Sequence, residues 1–221
     1  MTRTDDETAA SRLAEALASL DSSARLQAAL AAGTHPNPAY VAVLVGRCAI
    51  EPDFFVRDML TWALVRHPVD SAVPPLLEEL RGGSAQARSQ ALHTLSKIGD
   101  PRGWTAITTE LLEDADDRVA RSAWRAGVIL SPDDAGADLA AALTSQLGRG
   151  DRELRKSLSR AFVDLGSVSE PVLEESTKRL HGRALLHALA TLHLVRNADE
   201  TFESAMFEAQ HEVLIRDDDG A

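Results

Sequence analysis

Along the chain, apolar residues recur at spacings of three and four: Leu60, Ala63, Leu64; Ala91, Leu95, Ile98; Leu158, Ala161, Phe162, Leu165. That is the period of an amphipathic helix with one buried stripe. No run of four or more residues alternates cleanly between polar residues and Val, Ile or aromatics, so strands are not expected. The prolines fall between the periodic segments or in a first turn, where a missing N–H costs nothing. Gly33, Gly99 and Gly166 follow one set of segments and Gly82, Gly148 and Gly182 another, where left-handed C-terminal caps would stand. The helices are therefore expected in pairs.

The first members of these pairs repeat. Asp21-Ser-Ser-Ala-Arg25, Asp53-Phe-Phe-Val-Arg57, Ser84-Ala-Gln-Ala-Arg88, Asp116-Asp-Arg-Val-Ala120 and Asp151-Arg-Glu-Leu-Arg155 begin at intervals of 32, 31, 32 and 35 residues, and a looser sixth copy begins near His181. The opening Asp or Ser can cap a helix by accepting from its free N–H groups, and an Arg four residues later lies on the same face. Apolar residues stand three and seven positions after the cap, as Val56 and Leu60 or Leu154 and Leu158. Second helices align likewise: Val41, Leu44, Val45, Cys48 correspond to Val73, Leu76, Leu77, Leu80 and to Trp104, Ile107, Thr108, Leu111. One helix pair cannot bury its apolar face alone, so the copies must stack. The expected organisation is a capping helix within residues 1–20, a repeat array over 21–215 without a dividing linker, and a frayed acidic tail over 216–221.

This pattern, an Asp-x-x-Val/Ala-Arg opening followed by Leu, Gly and a Pro-led second helix, resembles the short HEAT repeats of many bacterial proteins. The stretches Glu51 to Leu64 and Ala87 to Pro101 carry the resemblance most fully. It implies an all-α fold, a right-handed α-α superhelix of about six helix pairs, with first helices convex and second helices lining a concave groove. It implies nothing about chemistry.

Composition narrows the function classes. Acidic residues outnumber basic ones 34 to 23, a formal charge of −11, which disfavours a phosphate-backbone binder. The single cysteine, Cys48, excludes an intrachain disulfide and a cysteine-rich zinc site, and suits a reducing cytoplasm. Asp5, Asp6 and Glu7 stand where a secretory leader would be basic, and no apolar run approaches the ~18 residues a membrane span needs, so neither export nor membrane insertion is expected.

Candidate chemistry is sparse. The repeated arginines, Arg25, Arg57, Arg88 and Arg155, are expected to knit the array together with the Asp four residues before three of them. The seven histidines lack ligand spacing and are expected at surfaces or in loops; His187 and His193 sit about 240° apart round a helix. No catalytic residue, metal site or cofactor motif is recognised, and Cys48 reads as a core residue in the row of Val41, Leu44 and Val45. Trp62 near Asp58 bears a superficial likeness to HEAT-like alkylpurine glycosylases, but the second helices contribute acid where DNA needs base. Trp62 and Trp124 are expected to pack between first helices.

Two interaction surfaces remain. Glu78, Glu113, Asp138 and Glu174 project opposite the apolar row of the second helices, with Glu79, Glu110 and Glu175 at its edge, an acidic groove for a basic protein segment. The stretch Tyr40 to Ile50 is apolar all round, so its far side, Ala39, Val43, Gly46 and Ile50, needs the N-terminal helix or a partner to cover it. The expected function is a cytoplasmic, non-enzymatic protein-interaction scaffold. The alternative is a HEAT-like enzyme or enzyme subunit, such as an alkylation-repair glycosylase or a subunit of a bilin lyase.

Overall fold

Five first helices begin where the sequence supplies caps. In the computed structural model, which describes residues 3–197 and 199–219, the Asp21 carboxylate accepts from the Ser23 N–H, Asp53 from Phe55 and Val56, Ser84 from Ala87, Asp116 from Arg118 and Asp151 from Leu154. Each bond satisfies a donor that the first helical turn leaves free. The chain is all-α, with no strand among the described residues. It divides into two compact units, Met1–Thr108 and Thr109–Ala221.

Unit 1 contains α1 (Arg3–Leu17), α2 (Ser22–Thr34), α3 (Val41–Cys48), α4 (Phe54–Val65), α5 (Val69–Gly82), α6 (Ala85–Ile98) and α7 (Arg102–Thr105). The first helices α2, α4 and α6 pack in succession, the second helices α3, α5 and α7 form a parallel layer, and α1 rests on α2 and α3. Leu44, Leu60, Leu64, Leu76, Leu92 and Leu95 fill the space between the layers and are essentially out of solvent. Leu60 and Leu95 are the apolar positions that the helical period marks.

Unit 2 contains α8 (Thr109–Leu112), α9 (Asp117–Leu130), α10 (Gly136–Leu143), α11 (Arg152–Leu165), α12 (Glu170–Thr177), α13 (Gly182–Arg196) and α14 (Phe202–Asp219). First helices α9, α11 and α13 form one layer and second helices α8, α10 and α12 the other, with α14 closing the end against α13. Trp124, Leu143, Leu154, Leu158 and Phe162 are fully buried. Leu189, Leu194, Phe202, Ala205 and Ala209 make the core beneath the last helix.

The structure departs from the sequence expectation at several points. The second helix of the third copy is broken between α7 and α8; Thr105, Ile107, Thr108 and Thr109 crowd β-branched side chains there, which weakens helix. Pro74 and Pro75 lie inside α5, not in its first turn. Gly33 is no C-terminal cap but sits within α2, where a Cβ would lie 2.3 Å from the Trp62 ring, so the glycine permits the close crossing of α4; Gly99, with φ +73°, is the left-handed cap expected. Finally, α14 continues through Asp219 where an acidic tail is expected from 216; residues 220 and 221 lie outside the described residues.

Candidate functional site

The seven carboxylates expected to share one face are divided between the units. Glu78 and Glu79 belong to α5 of unit 1, where Glu78 is exposed and ion-paired with Arg81 while Glu79 is half-buried. The other five lie in unit 2, on or beside three second helices that touch in sequence, α8, α10 and α12. Glu110 is in α8, Glu113 directly follows it, Asp138 is in α10, and Glu174 and Glu175 are in α12; all five are exposed, while Leu111, Leu139, Leu143 and Leu173 on the same elements are buried. The layer is amphipathic, as the helical period requires.

Local partners temper this charge. The Ser145 hydroxyl donates to Glu113 at 2.7 Å, Arg196 of α13 pairs with Glu174, and Glu175 accepts from Lys178 at 3.0 Å with Arg179 at 3.7 Å. The Lys178 ammonium holds the Glu175 carboxyl below its ordinary range. Glu110 and Asp138 have no ion-pair partner among the described residues. They are the carboxylates of this layer most open to an incoming cation.

The apolar patch is partly covered. Helix α1 packs on α3 and on the 3-10 turn Pro38–Tyr40, and Ala39 and Val43 are half-buried. Gly46 remains exposed, Ile50 is 69% exposed, and Phe54 and Phe55, which open α4, are exposed as well.

The repeated arginines are structural, but their partners are not the capping Asp residues. Arg25 donates from Nη1 to the Leu20 carbonyl at 3.1 Å, Arg57 to Pro52 at 2.8 Å, Arg88 to Gly83 at 2.9 Å and Arg155 to Gly150 at 2.6 Å. Each therefore folds back five residues to staple the loop before its own helix, satisfying a carbonyl that no helix ladder reaches. Arg25 in addition closes on Glu51, whose carboxylate also accepts from Arg47 Nε at 2.7 Å and from the Asp53 N–H at 2.9 Å. Burial alone would raise the Glu51 pKa; the two guanidinium groups and the backbone donor outweigh it and hold the carboxyl at about 2.

Two histidines are interior, contrary to the surface expectation. His67 Nδ1 lies 2.7 Å from the Ala63 carbonyl. His187 accepts the Gly148 N–H on Nδ1 at 2.9 Å, so its proton resides on Nε2, which faces the Arg155 carbonyl and the Ser159 hydroxyl, each at 3.0 Å. Burial lowers the His187 pKa to about 4. Trp124 is fully buried and donates Nε1–H to the Leu112 carbonyl at 2.8 Å, whereas Trp62 is 39% exposed. Cys48 is buried in its apolar row, with its thiol pushed up to about 12 by desolvation. Among the described residues no three His, Cys, Asp or Glu side chains gather as metal ligands, and no helix is long and apolar enough to cross a membrane.

Sequence reasoning missed a basic set on the other layer of unit 2. Arg121 and Arg125 of α9 and Lys156 and Arg160 of α11 line one pocket between those neighbouring helices. The signal was present: both pairs stand five and nine residues after their caps, Asp116 and Asp151, in consecutive copies.

No family model matches the chain, and no curated protein matches its sequence. Among solved structures it is similar to an engineered protein of the Northeast Structural Genomics Consortium, with 21% identity, TM-score 0.45, and coverage of 85% of this chain and 96% of that one. It is also similar to the complex of CpcE and CpcF of phycocyanin lyase from Nostoc sp. PCC7120, with 18% identity, TM-score 0.39, and coverage of 92% and 94%. Likenesses this distant say nothing about activity or partners.

Proposed function

We propose that this chain is a non-enzymatic interaction module, working in the reducing cytoplasm, whose second-helix faces bind a basic segment of a protein partner. The observation that supports this most is the layer α8, α10 and α12, which presents five exposed carboxylates, three of them, Glu110, Glu113 and Asp138, without an ion-pair partner among the described residues. Helices stacked side by side hold such charges at a fixed spacing, so an extended Lys/Arg-rich segment meets several at once without the surface rearranging. Glu78 and Glu79 offer a smaller acidic surface on unit 1. Charge complementarity of this kind steers association and fixes orientation, and it weakens as salt screens it.

An oligo-arginine peptide, followed by fluorescence anisotropy against the full chain, tests the proposal. Changing Glu110 and Asp138 together to Lys weakens binding by about tenfold or more, since each reversal replaces attraction with repulsion at the surface. The same charge change at the exposed Glu15 and Glu208, away from this layer, leaves most of the affinity in place. Equal losses in the two variants would show that only net charge matters and would overturn the assignment of the face.

A further inference from the structure

The first-helix layer of unit 2 carries a second site with the opposite sign. Between α9 and α11 lies a pocket of about 320 Å³. Arg121 and Arg125, one turn apart on α9, face Lys156 and Arg160, one turn apart on α11; Val163, Leu194 and Phe202 supply apolar wall. Lys156, Arg160 and Arg125 are exposed at the mouth, while Leu194 and Phe202 are buried. In a chain of net charge −11, four cations around one opening are a local inversion. Two carboxylates, Glu153 and Glu200, also line it, leaving an excess of two positive charges in the lining. Glu203 of α14 acts on Lys156 from outside the lining, but its ion pair is with Arg152.

The cations at this opening are largely uncommitted. Arg160 pairs with Asp164 at 2.8 Å, but Arg121, Arg125 and Lys156 have no carboxylate at ion-pairing distance among the described residues. Desolvation and the neighbouring Arg121 both lower the Arg125 pKa, the mark of like charges held together without a counter-ion. A second, independent observation lies at the floor. Ser157 lines the pocket, is 8% exposed, and its hydroxyl has no hydrogen-bond partner. Other buried hydroxyls in these helices are bonded: Ser159 to Thr191 at 2.7 Å, Ser176 to the Val172 carbonyl at 2.8 Å. Buried polar groups are normally paired, and an unpaired hydroxyl in the wall of a cationic opening marks the place of an acceptor.

We propose that this pocket binds a small organic phosphate, its dianionic head held by Arg121, Arg125, Lys156 and the Ser157 hydroxyl, and its apolar body laid against Val163, Leu194 and Phe202. The dianion of a phosphomonoester near neutral pH matches the excess of positive charge, and a guanidinium donates to its oxygens in a fork geometry. The apolar wall favours a ligand with a ring or chain over a bare ion.

Calorimetric titration of the full chain with phenyl phosphate, inorganic phosphate and benzyl alcohol tests this. Phenyl phosphate binds, inorganic phosphate competes about tenfold more weakly, and benzyl alcohol more weakly still. Changing Arg125 and Lys156 together to Glu, both exposed and unpaired, lowers phenyl phosphate affinity by about tenfold or more with the helical circular dichroism unchanged. Ser157→Ala lowers it severalfold, and Arg66→Ala in unit 1 leaves it unaltered. Binding of benzyl alcohol as tight as phenyl phosphate would reduce the pocket to an apolar cleft. Equal binding of inorganic and phenyl phosphate would remove the organic body, and an unaltered double variant would place the anion elsewhere. Any of the three overturns the proposal.

Discussion

Arg25 and Glu51 meet side by side inside unit 1, Nε to Oε2 at 2.9 Å and Nη2 to Oε1 at 2.7 Å, with Glu51 wholly out of solvent. Twenty-six residues separate them, and the contact ties the first turn of α2 to the loop before α4. Removing one partner leaves a buried charge without its counter-charge, which costs more than the pair contributes. Glu51→Gln is therefore expected to destabilise unit 1 by about 3–5 kcal/mol, read from urea unfolding. A loss below about 1 kcal/mol would mean that water reaches the guanidinium groups and the pair is not buried in solution.

The staple made by Arg57 is testable by shape as well as charge. Its Nη1 spans the Glu51 and Pro52 carbonyls at 2.9 and 2.8 Å. Arg57→Ala is expected to cost about 1.5–3 kcal/mol, the range for hydrogen bonds to a charged group. Arg57→Lys should not restore it fully, because the shorter side chain does not carry its ammonium to where Nη1 meets both carbonyls. Asp58→Ala, at the exposed neighbouring position, should stay within about 0.5 kcal/mol of the parent. Full rescue by lysine would show that charge alone holds the loop.

His187 makes unit 2 sensitive to mild acid. Unfolded, the ring takes its proton near 6.5; folded, burial delays this to about 4, and protonating Nδ1 would destroy the bond from the Gly148 N–H. The unfolded chain therefore binds the proton first, so the stability that rests on the neutral ring is fully present above pH 6.5 and is lost as pH falls towards 4. The loss amounts to about 3 kcal/mol across that window. His187→Gln should flatten the dependence of the urea midpoint between pH 6.5 and 4. Glu51 acts lower: its folded pKa is depressed from 4.5 to about 2, so its contribution is present above pH 4.5 and disappears as pH falls through 2. A His187→Gln protein with the parent's slope between pH 6.5 and 4 would assign that slope to another group.

The crossing of α2 and α4 depends on the missing side chain of Gly33. A methyl there would meet the Trp62 ring at 2.3 Å and the Ala63 Cα at 2.9 Å. Gly33→Ala is expected to destabilise by about 1–3 kcal/mol despite its better helix propensity. Much of that loss should vanish in a Trp62→Ala background, with the remainder due to the Ala63 backbone; a double-mutant cycle by urea unfolding measures the coupling. Strict additivity would show that the helices separate freely.

The sequence alone determined the helices, their caps and their pairing, because the forces that choose them act within about one or two turns: hydrogen bonds four residues apart, a capping carboxylate and an apolar stripe of period 3.6. Asp21, Asp53, Ser84, Asp116 and Asp151 cap first helices as their spacing announces. Tertiary structure decided what the charges do. Arg25 finds Glu51, Arg196 finds Glu174, and Gly148 finds His187 across 26, 22 and 39 residues, distances over which no local period carries information. The same holds for the candidate surfaces. The helical period marks Asp138 and Glu174 as equals, and only the packing of α13 beside α12 gives one of them an arginine and leaves the other open. Arg121 and Lys156 are separated by a whole repeat, and they share a pocket because stacked hairpins bring equivalent positions of successive copies side by side.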